Sequence, residues 1–269
     1  MKVCIYRGGM HLIQKSGIGQ AILHQEQMLK ESDVIVLPYP TPDTDIIHIN
    51  TVLPDAVIMA LYARMHHIKV IYYGHSTEGD FKNSFKGSNY LSTFFQSWIR
   101  FCYGLGNCVI TPTRYSRNQL SSIGVKKDIF TISNGVDTSF FRPSKKAGLR
   151  FRNRYGLNET DTVIISVGHF MERKGLPDFI DLARHMPDAH FFWFGYTDPI
   201  LQTETVKNAL RNAPTNIIFP GYVSQSQLHE AYCGCSLFAF MSYEETEGIV
   251  VLEALSCGTP TLVRDIPVY

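Results

Sequence analysis

The stretch SYEETEGIVVLEALSCGTP, residues 242–260, decides how the second half of the chain folds. It follows a short apolar run at residues 237–240, and it changes from acidic to apolar at Gly248. The glycine and the proline near its end are typical helix stop signals. The stretch therefore predicts a strand at 237–240, a loop at 242–247 and a helix that starts near Gly248. One face of this helix is predicted to carry Ile249, Leu252, Leu255 and Ser256.

The acidic residues around this helix start predict a binding site. The first amides of a helix have no partner within the helix, so they form a pocket for anions at the edge of the sheet. Glu244 is explained as an acid that complements the helix dipole. Glu245 and Glu253 are not, because a carboxylate on an apolar helix face is costly to bury unless it accepts hydrogen bonds, for example from sugar hydroxyls.

Elsewhere the chain alternates short apolar runs with segments long enough for a helix, which is typical of buried parallel sheets. A first series of strands is predicted at residues 3–6, 34–37, 46–49, 70–73 and 109–111. A second series is predicted at residues 162–167, 190–194, 216–219, 237–240 and 261–263. The two series predict an α/β protein of two Rossmann-like, doubly wound parallel-sheet domains.

The domains are predicted to divide at residue 140, into an N-terminal domain at 1–140 and a C-terminal domain at 141–269. The turn sequence NGVD at 134–137 and Pro143 mark the connection. The basic run at 145–154 is interpreted as a solvated linker face rather than an anion-binding surface. No helix follows the last strand to cover its sheet, so we expect the second domain to be incomplete at its C-terminus.

The composition excludes several classes of function. The chain has 269 residues, 45% hydrophobic and 18% charged, with a net charge of +1. A nearly neutral folded protein of this kind is not expected to bind nucleic acid, and no run is apolar enough to cross a membrane. Six scattered cysteines indicate reduced thiols in the cytoplasm. The pair at Cys233 and Cys235 has no second pair beside it, so no metal site is predicted there.

Glu245 and Glu253 are spaced as Glu-x7-Glu, and their stretch resembles the signature of retaining nucleotide-sugar glycosyltransferases of family GT4, which have the GT-B fold. The usual form is E-G-F-G-x-x-x-x-E-A-x-x-x-G-x-P, and this chain departs from it at Thr246 and Glu247. The matching positions are Glu245, Gly248, Glu253, Ala254, Gly258 and Pro260. The resemblance implies that Glu245 lies beside the transferred sugar and Glu253 holds the nucleotide ribose. It implies that the backbone of Gly248, Ile249 and Val250 meets sugar and phosphate, and we expect Glu247 to bind sugar hydroxyls.

Two further segments of the second domain resemble this family. GHFMERKG, residues 168–175, is similar to its G-R-x-x-x-x-K-G segment, whose arginine and lysine bind the diphosphate. Lys174 matches, His169 stands in place of the arginine, and Arg173 is a second candidate for a phosphate contact. The resemblance also implies that the loop at Tyr222 lies against the nucleotide base.

In the first domain, Ser16, Gly17 and Gly19 lie in a glycine-rich turn that precedes a predicted helix, where the backbone can approach a diphosphate. This position resembles the glycine loop of the family. His75 follows the strand at 70–73, at the edge where α/β sheets bind ligands, and it resembles the active-site histidine of the family. Asp43-Thr44-Asp45 has the D-x-D form of a metal site, but the resemblance implies a structural role, no metal and no cofactor.

The acceptor is predicted from a segment rich in aromatic residues at 82–103. Its apolar stripe indicates a core helix, and the alternative is an amphipathic surface that enters lipid headgroups beside an anionic membrane. The stripe is predicted to consist of Leu91, Phe94, Phe95, Trp98, Phe101 and Cys102.

The chain as a whole is similar to bacterial glycolipid synthases that act on diacylglycerol. This similarity implies a UDP-glucose or UDP-galactose donor, a lipid acceptor and peripheral attachment to the membrane. The alternatives are another acceptor, another GT-B reaction or a non-catalytic partner subunit.

Overall fold

A computed structural model of the chain describes residues 1–9, 17–76 and 88–269. The strands are β1 (Lys2–Tyr6), β2 (Ile35–Leu37), β3 (Ile46–Ile49), β4 (Lys69–Tyr73), β5 (Cys108–Thr111), β6 (Ile129–Thr131), β7 (Val163–Val167), β8 (His190–Phe194), β9 (Ile217–Gly221), β10 (Leu237–Phe240) and β11 (Thr261–Val263). The helices are α1 (Gly17–Lys30), α2 (Pro54–Met65), α3 (Ser88–Gly104), α4 (Arg114–Ser122), α5 (Lys145–Arg154), α6 (Leu176–His185), α7 (Glu204–Arg211), α8 (Gln225–Gly234) and α9 (Ile249–Ser256).

The strands form two sheets, and every paired strand is parallel to its neighbour. The first sheet has the order β2-β1-β3-β4-β5-β6, and the second has the order β11-β10-β7-β8-β9. In each sheet the order of strands reverses beside the first strand in the chain. The reversal lies between β1 and β3 in the first sheet and between β7 and β10 in the second. Ligands bind at such switch points, beyond the carboxyl ends of the strands. All ten predicted strands are present, which confirms two parallel-sheet α/β domains.

The second sheet is buried on both faces, as a parallel sheet requires. Val163 and Ile165 pack into one apolar cluster, and Ile164 between them packs into the other. The next strand alternates in the same way, with Phe192 on the first face and Trp193 on the second. A continuous apolar run therefore suits these strands, because each successive side chain meets a different core.

The basic run at 145–154 is a helix, so the prediction of a linker was wrong. α5 begins after Ser144, whose side chain accepts a hydrogen bond from Ala147 N at 3.2 Å. A Cβ added at Gly148 would meet the carbonyl oxygen of Cys233, so glycine lets α5 cross α8 closely. Two arginines of the run, Arg150 and Arg154, pair with the buried Glu230 at 2.6 and 2.7 Å. Glu230 therefore offsets one of these two positive charges.

The predicted apolar stripe of α3 is wrong in part. Phe94 is 71% exposed and Phe101 is 50% exposed, although both were expected on the packed face. Among residues 94–104, whose side chains the structure describes, Ile99, Cys102 and Tyr103 are buried and pack into the core of the first domain. The side chain of Leu91 lies outside this range. The buried face of α3 is therefore rotated from the predicted one. It consists of Ile99 and the residues three and four positions after it. In the part of the chain that the structure describes, no helix combines the length and apolarity needed to span a membrane.

The segment at 132–144 connects the first sheet to the second. It begins after β6, which the sequence did not predict, and it ends where α5 starts. Phe141 is buried in a core cluster of the second domain. The division at 140/141 stays a prediction.

Candidate functional site

A cavity of about 420 Å³ lies at the carboxyl ends of the strands, between the two domains. Gly17 and His75 line it from the first domain, and Lys174, Gly248 and Glu253 line it from the second. Its volume falls within the roughly 300–1,000 Å³ of small-molecule sites. Both topological switch points therefore open into the same cleft.

The start of α9 forms part of the cavity wall. Gly248 precedes the helix with a φ of +86°, a left-handed conformation that favours glycine. A Cβ at this position would also meet the hydroxyl of Tyr269. Gly248, Ile249 and Val250 all line the cavity, so the helix N-terminus meets it as the sequence predicts. This end of a helix attracts anions.

Glu245 is buried beside two cations. Its Oε1 pairs with the Nζ of Lys174, accepts a hydrogen bond from Ser242 Oγ at 2.7 Å, and lies 3.9 Å from Arg173 Nη1. Burial alone would raise the pKa of Glu245, but the charges of Lys174 and Arg173 outweigh it, so the pKa is lowered. Glu245 is therefore an ionised carboxylate, and both cations predicted to bind phosphate face the cavity beside it.

Glu253 is buried within α9 and lines the same cavity. Its Oε2 accepts a hydrogen bond from the hydroxyl of Tyr232 at 2.9 Å. Burial raises the pKa of Glu253 to about 7, which the hydrogen bond from Tyr232 offsets only in part. This carboxyl group therefore changes protonation close to neutral pH.

The buried face of α9 differs from the predicted one. Ile249 is buried as expected, but Leu255 is 56% exposed. The helix buries Val251, Glu253 and Ala254 instead. Because this helix is apolar on nearly every side, the sequence pattern does not select a face.

Glu247 binds the connection between the domains. Its Oε2 accepts hydrogen bonds from the backbone N of Asn134 at 3.1 Å and from the side-chain amide of Asn134 at 2.7 Å. Both residues line the cavity. The sequence predicted only a structural turn at Asn134. Its contact with Glu247 shows that Asn134 also holds the buried end of the loop at 242–247.

Glu244 has a larger role than the dipole interpretation gives it. Its carboxylate accepts hydrogen bonds from the hydroxyl of Tyr115 at 2.9 Å and from the side-chain amide of Gln119 at 2.8 Å, both on α4. Nearby, Thr113 Oγ1 donates to the carbonyl of Thr246 at 2.7 Å. The loop that carries Glu245 is thus bound to the first domain, and no motif in the sequence indicated it.

His75 is buried and neutral at the cavity wall. Its Nε2 donates to Asn50 Oδ1 at 2.9 Å, and its ring stacks on Tyr73 with centroids 4.5 Å apart. Burial, with a smaller contribution from the neighbouring His48, lowers the pKa of His75 to about 3. His75 therefore offers a fixed, uncharged imidazole.

His169 and Tyr222 lie together at the far end of the cavity. His169 Nδ1 is 2.8 Å from the Tyr222 hydroxyl and 3.0 Å from the carbonyl oxygen of Tyr196. Burial is the largest cause of the lowered pKa of His169, and the charges of Lys174 and Arg173 add to it. An uncharged histidine stands where the family signature has an arginine.

The glycine-rich turn of the first domain is partly described. Ser16 lies outside the described residues. Gly17 is the first residue of α1 and lines the cavity, whereas Gly19 is buried within the helix. The prediction that Gly17 and Gly19 precede the helix was therefore wrong, since both belong to its first turn. Gln20, also on α1, accepts a hydrogen bond from Gln225 at 2.7 Å across the cleft.

The D-x-D sequence lies on the surface at β1. Asp45 Oδ2 accepts a hydrogen bond from the backbone N of Lys2 at 2.7 Å, and Asp43 pairs with the side chain of Lys2. These aspartates hold the first strand, which agrees with a structural role.

Comparison with known proteins identifies the family. Residues 28–140 match the model described as glycosyltransferase family 4, and residues 149–269 match glycosyl transferases group 1. Over its whole length the chain is 37% identical to the processive diacylglycerol alpha-glucosyltransferase of Acholeplasma laidlawii, and it covers 80% of that protein. The chain belongs to the GT4 glycosyltransferases. It is also 26% identical, over 84% of its length, to the alpha-galactosylglucosyldiacylglycerol synthase of Streptococcus pneumoniae, of which it covers 62%.

Solved structures show the GT-B fold for this GT4 glycosyltransferase. Anabaena HepE in complex with UDP and glucose matches with a TM-score of 0.74 at 17% identity, over 100% of this chain and 82% of that one. A sucrose-phosphate synthase of Thermosynechococcus elongatus matches with a TM-score of 0.70 at 19% identity, over 83% of this chain and 56% of that one. At these identities the likeness concerns the fold alone.

The positions that match the GT4 signature lie together in the structure. Glu245, Gly248 and Glu253 line one cavity, and Gly258 ends α9 with a φ of +70°. At the two departures, Thr246 and Glu247 replace glycine and phenylalanine. The Glu247 side chain accepts hydrogen bonds from Asn134, so this departure adds a contact between the domains. Thr246 accepts from Thr113 through its backbone carbonyl, which a glycine would offer equally.

Proposed function

We propose that this glycosyltransferase moves a hexose, glucose or galactose, from a UDP-sugar to an acceptor hydroxyl with retention of the anomeric configuration. The observation that supports this most is the cavity in which Glu245, Glu253 and the α9 N-terminus meet. It combines a buried anion site with carboxylates that accept hydroxyl hydrogen bonds, and these are the groups that a sugar nucleotide requires.

In this proposal the nucleotide occupies the second domain. Glu253 accepts the ribose hydroxyls, and the base lies near Tyr222 and His169. The diphosphate lies between the α9 N-terminus and the side chains of Arg173 and Lys174. Charge that develops on the departing diphosphate is then stabilised by groups already in place, which lowers the barrier to transfer.

The sugar lies between Glu245 and His75. Glu245 is ionised and paired with Lys174, and His75 is neutral with a pKa of about 3. Neither group is poised to take a proton near neutral pH, so we assign the acceptor's proton to the leaving phosphate oxygen. Glu245, Glu247 and His75 orient the sugar and the attacking hydroxyl. No step in this scheme needs a metal ion or another cofactor.

We propose a diacylglycerol or monoglycosyl-diacylglycerol acceptor at an anionic membrane surface on the cytoplasmic side. Two of the similar proteins are diacylglycerol glycolipid synthases. α3 supports this acceptor, because Phe95 lines the cavity while Phe94 and Phe101 are exposed. The same helix thus carries apolar side chains both at the solvent-exposed surface and at the cavity, where we propose that the acceptor hydroxyl enters.

The test is a product assay with the whole chain. The protein is incubated with UDP-glucose or UDP-galactose and vesicles that contain diacylglycerol or monoglucosyl-diacylglycerol, and lipids are analysed by mass spectrometry. We expect a hexosylated lipid from one donor, and its loss in Glu245→Gln. Glu204→Gln on the surface of α7 is the matched control and should keep full turnover. Binding of UDP-sugar without any lipid product would contradict the proposed acceptor.

A further inference from the structure

A cluster of one imidazole and two thiols lies behind the donor site, in the second domain. His229 and Cys233 are four residues apart on α8, so they share one face of that helix. Cys257 follows the last residue of α9. The ligand atoms of these three residues, the Cys–His cluster, all lie within 4.8 Å of one another.

The side chains converge on one point. Cys233 Sγ is 3.3 Å from His229 Nε2, and both atoms contact the carbonyl oxygen of Arg142, at 3.5 and 2.7 Å. In a tetrahedral site with ligands about 2.0–2.3 Å from the metal, the ligand atoms lie roughly 3.3–3.8 Å apart. The distances between the ligand atoms of the cluster are within about 1 Å of this spacing. Small side-chain rotations are therefore enough to form a tetrahedral site.

The ligand atoms of the Cys–His cluster favour one kind of metal ion. Two cysteine sulfurs and one imidazole nitrogen form a soft set that suits Zn²⁺, and carboxylates are absent from the described cluster. Cys257 is buried, whereas His229 and Cys233 are half-buried, so an ion can enter from solvent. A water molecule or the oxygen of Arg142 completes four ligands.

The sequence predicts no metal site at Cys233 and Cys235, the two cysteines that are neighbours in the chain. Cys235 is two residues from Cys233, but its Sγ contacts the carbonyl oxygen of Tyr232 at 3.4 Å, within its own segment. The partner of Cys233 is Cys257, which is 24 positions away in the chain (257 − 233). Only the packing of α8 beside α9 brings the two thiols together.

We propose that His229, Cys233 and Cys257 bind one Zn²⁺ ion that fastens the end of α9 to α8 and to the segment at Arg142. On binding, the two thiols lose their protons to solvent and coordinate as thiolates. His229 stays neutral, with its ring proton moved from Nε2 to Nδ1. The site lies at the opposite end of α9 from Gly248, so its role is structural. This proposal does not depend on the identity of the donor or the acceptor.

The test is metal binding by the whole chain, measured without any transfer assay. Reduced protein is titrated with Co²⁺ and then with Zn²⁺, followed by absorbance and by metal content after gel filtration. We expect one equivalent, a thiolate-to-cobalt charge-transfer band, and displacement by Zn²⁺. Because two protons leave, affinity should fall steeply as the pH is lowered.

Variants identify the ligands. Cys233→Ser and Cys257→Ser should each weaken binding by roughly tenfold or more, and His229→Ala should do the same. Cys235→Ser is the matched control and should bind as the parent does. The proposal is overturned if the parent retains no ion, or if Cys233→Ser and Cys257→Ser bind as tightly as Cys235→Ser. It is equally overturned if Co²⁺ binds the parent without a thiolate band, and that readout does not depend on how any variant folds.

Discussion

The side-chain amide of Asn134 lies 2.7 Å from Glu247 Oε2, and its backbone amide lies 3.1 Å from the same oxygen. One carboxylate oxygen of the second domain therefore holds the segment that leaves the first domain. Because Glu247 stands one residue before Gly248, this contact fixes the entrance to α9 as well as the angle of the connection.

Removing the Asn134 side chain should loosen this connection. Asn134→Ala leaves a buried carboxylate with one hydrogen bond fewer, and we expect the free energy of unfolding to fall by about 1.5–3 kcal/mol. Asn134→Asp should cost more, since it places a second negative charge against Glu247. Denaturant unfolding measures both, with Asn208→Ala on exposed α7 as the control. Equal stability of the Ala and Asp variants would show that Glu247 is not held as described.

The ionisation of Glu253 should control donor binding near neutral pH. The carboxylate form accepts hydroxyl hydrogen bonds at both oxygens, and its pKa is about 7. We therefore expect kcat/KM for the donor to fall about tenfold per pH unit below pH 7. His75, with a pKa of about 3, does not contribute to this limb. In Glu253→Gln the inflection should be absent, and an unchanged inflection would assign it to another group.

The same pKa shift has the opposite effect on stability. The folded-state pKa of Glu253 is raised from 4.5 to about 7, so the native protein binds a proton that the unfolded chain releases. This contribution, roughly 3 kcal/mol by linkage, is complete below pH 4.5 and is lost as the pH rises through 7. Unfolding of the ligand-free parent and of Glu253→Gln at pH 5 and pH 8 measures it as the difference between the two proteins, because the pH dependence that comes from the buried His75 and His48 is common to both. Relative to the variant, the parent should be less stable at pH 8 than at pH 5.

Lys174 should stabilise the fold through Glu245. Replacing Lys174 with methionine leaves Glu245 buried with Arg173, 3.9 Å away, as its nearest remaining cation. We expect a loss of about 3 kcal/mol, the low end for breaking a buried pair, and partial recovery in the double variant with Glu245→Gln. Lys207→Met, which removes an exposed pair with Glu204, should change stability little.

The pH dependence of that loss follows from the lowered pKa of Glu245. A carboxyl group with a lowered pKa contributes stability above its unfolded value near 4.5, and it loses this contribution as the pH falls through the folded value. The difference between the parent and Lys174→Met should therefore shrink in acid. A difference that grows as the pH falls would contradict an ionised Glu245.

The exposed phenylalanines of α3 should attach the protein to lipid. Phe94→Ser with Phe101→Ser removes two exposed rings without touching the core, so we expect flotation with anionic vesicles to fall while the unfolding midpoint stays the same. Ile200→Ser, at an apolar side chain that is 82% exposed on the second domain, is the matched control. Equal flotation of both variants would show that α3 does not bind the membrane.

The sequence predicts the sheets well because apolar runs of three to six residues mark buried parallel strands. It missed β6 (Ile129–Thr131), which is short and has only one buried residue. It missed α5 because strong charge resembled a linker, although its buried face consists of Ala147, Gly148 and Phe151. A narrow apolar face with two small residues is a weak signal, and contacts with α8 and with Phe192 and Phe194 of β8 define it.

The signature residues of the site were predictable, but their partners were not. Glu245 and Glu253 stand at fixed spacing in one helix and its loop, so a local pattern finds them. Asn134 and Tyr115 reach the same loop from more than 100 positions away in the chain. Such contacts depend on how two domains meet, which no periodicity within either domain encodes.

The central claim is that a sugar nucleotide binds between the domains with its ribose at Glu253. Calorimetric titration of UDP-glucose and UDP-galactose at pH 8, where Glu253 is ionised, tests it most directly. We expect one saturable site for at least one donor, about tenfold weaker in Glu253→Gln, which corresponds to about 1.4 kcal/mol, and unchanged in Glu204→Gln. No binding of either donor at millimolar concentration, or equal affinity in the parent and Glu253→Gln, would contradict the account.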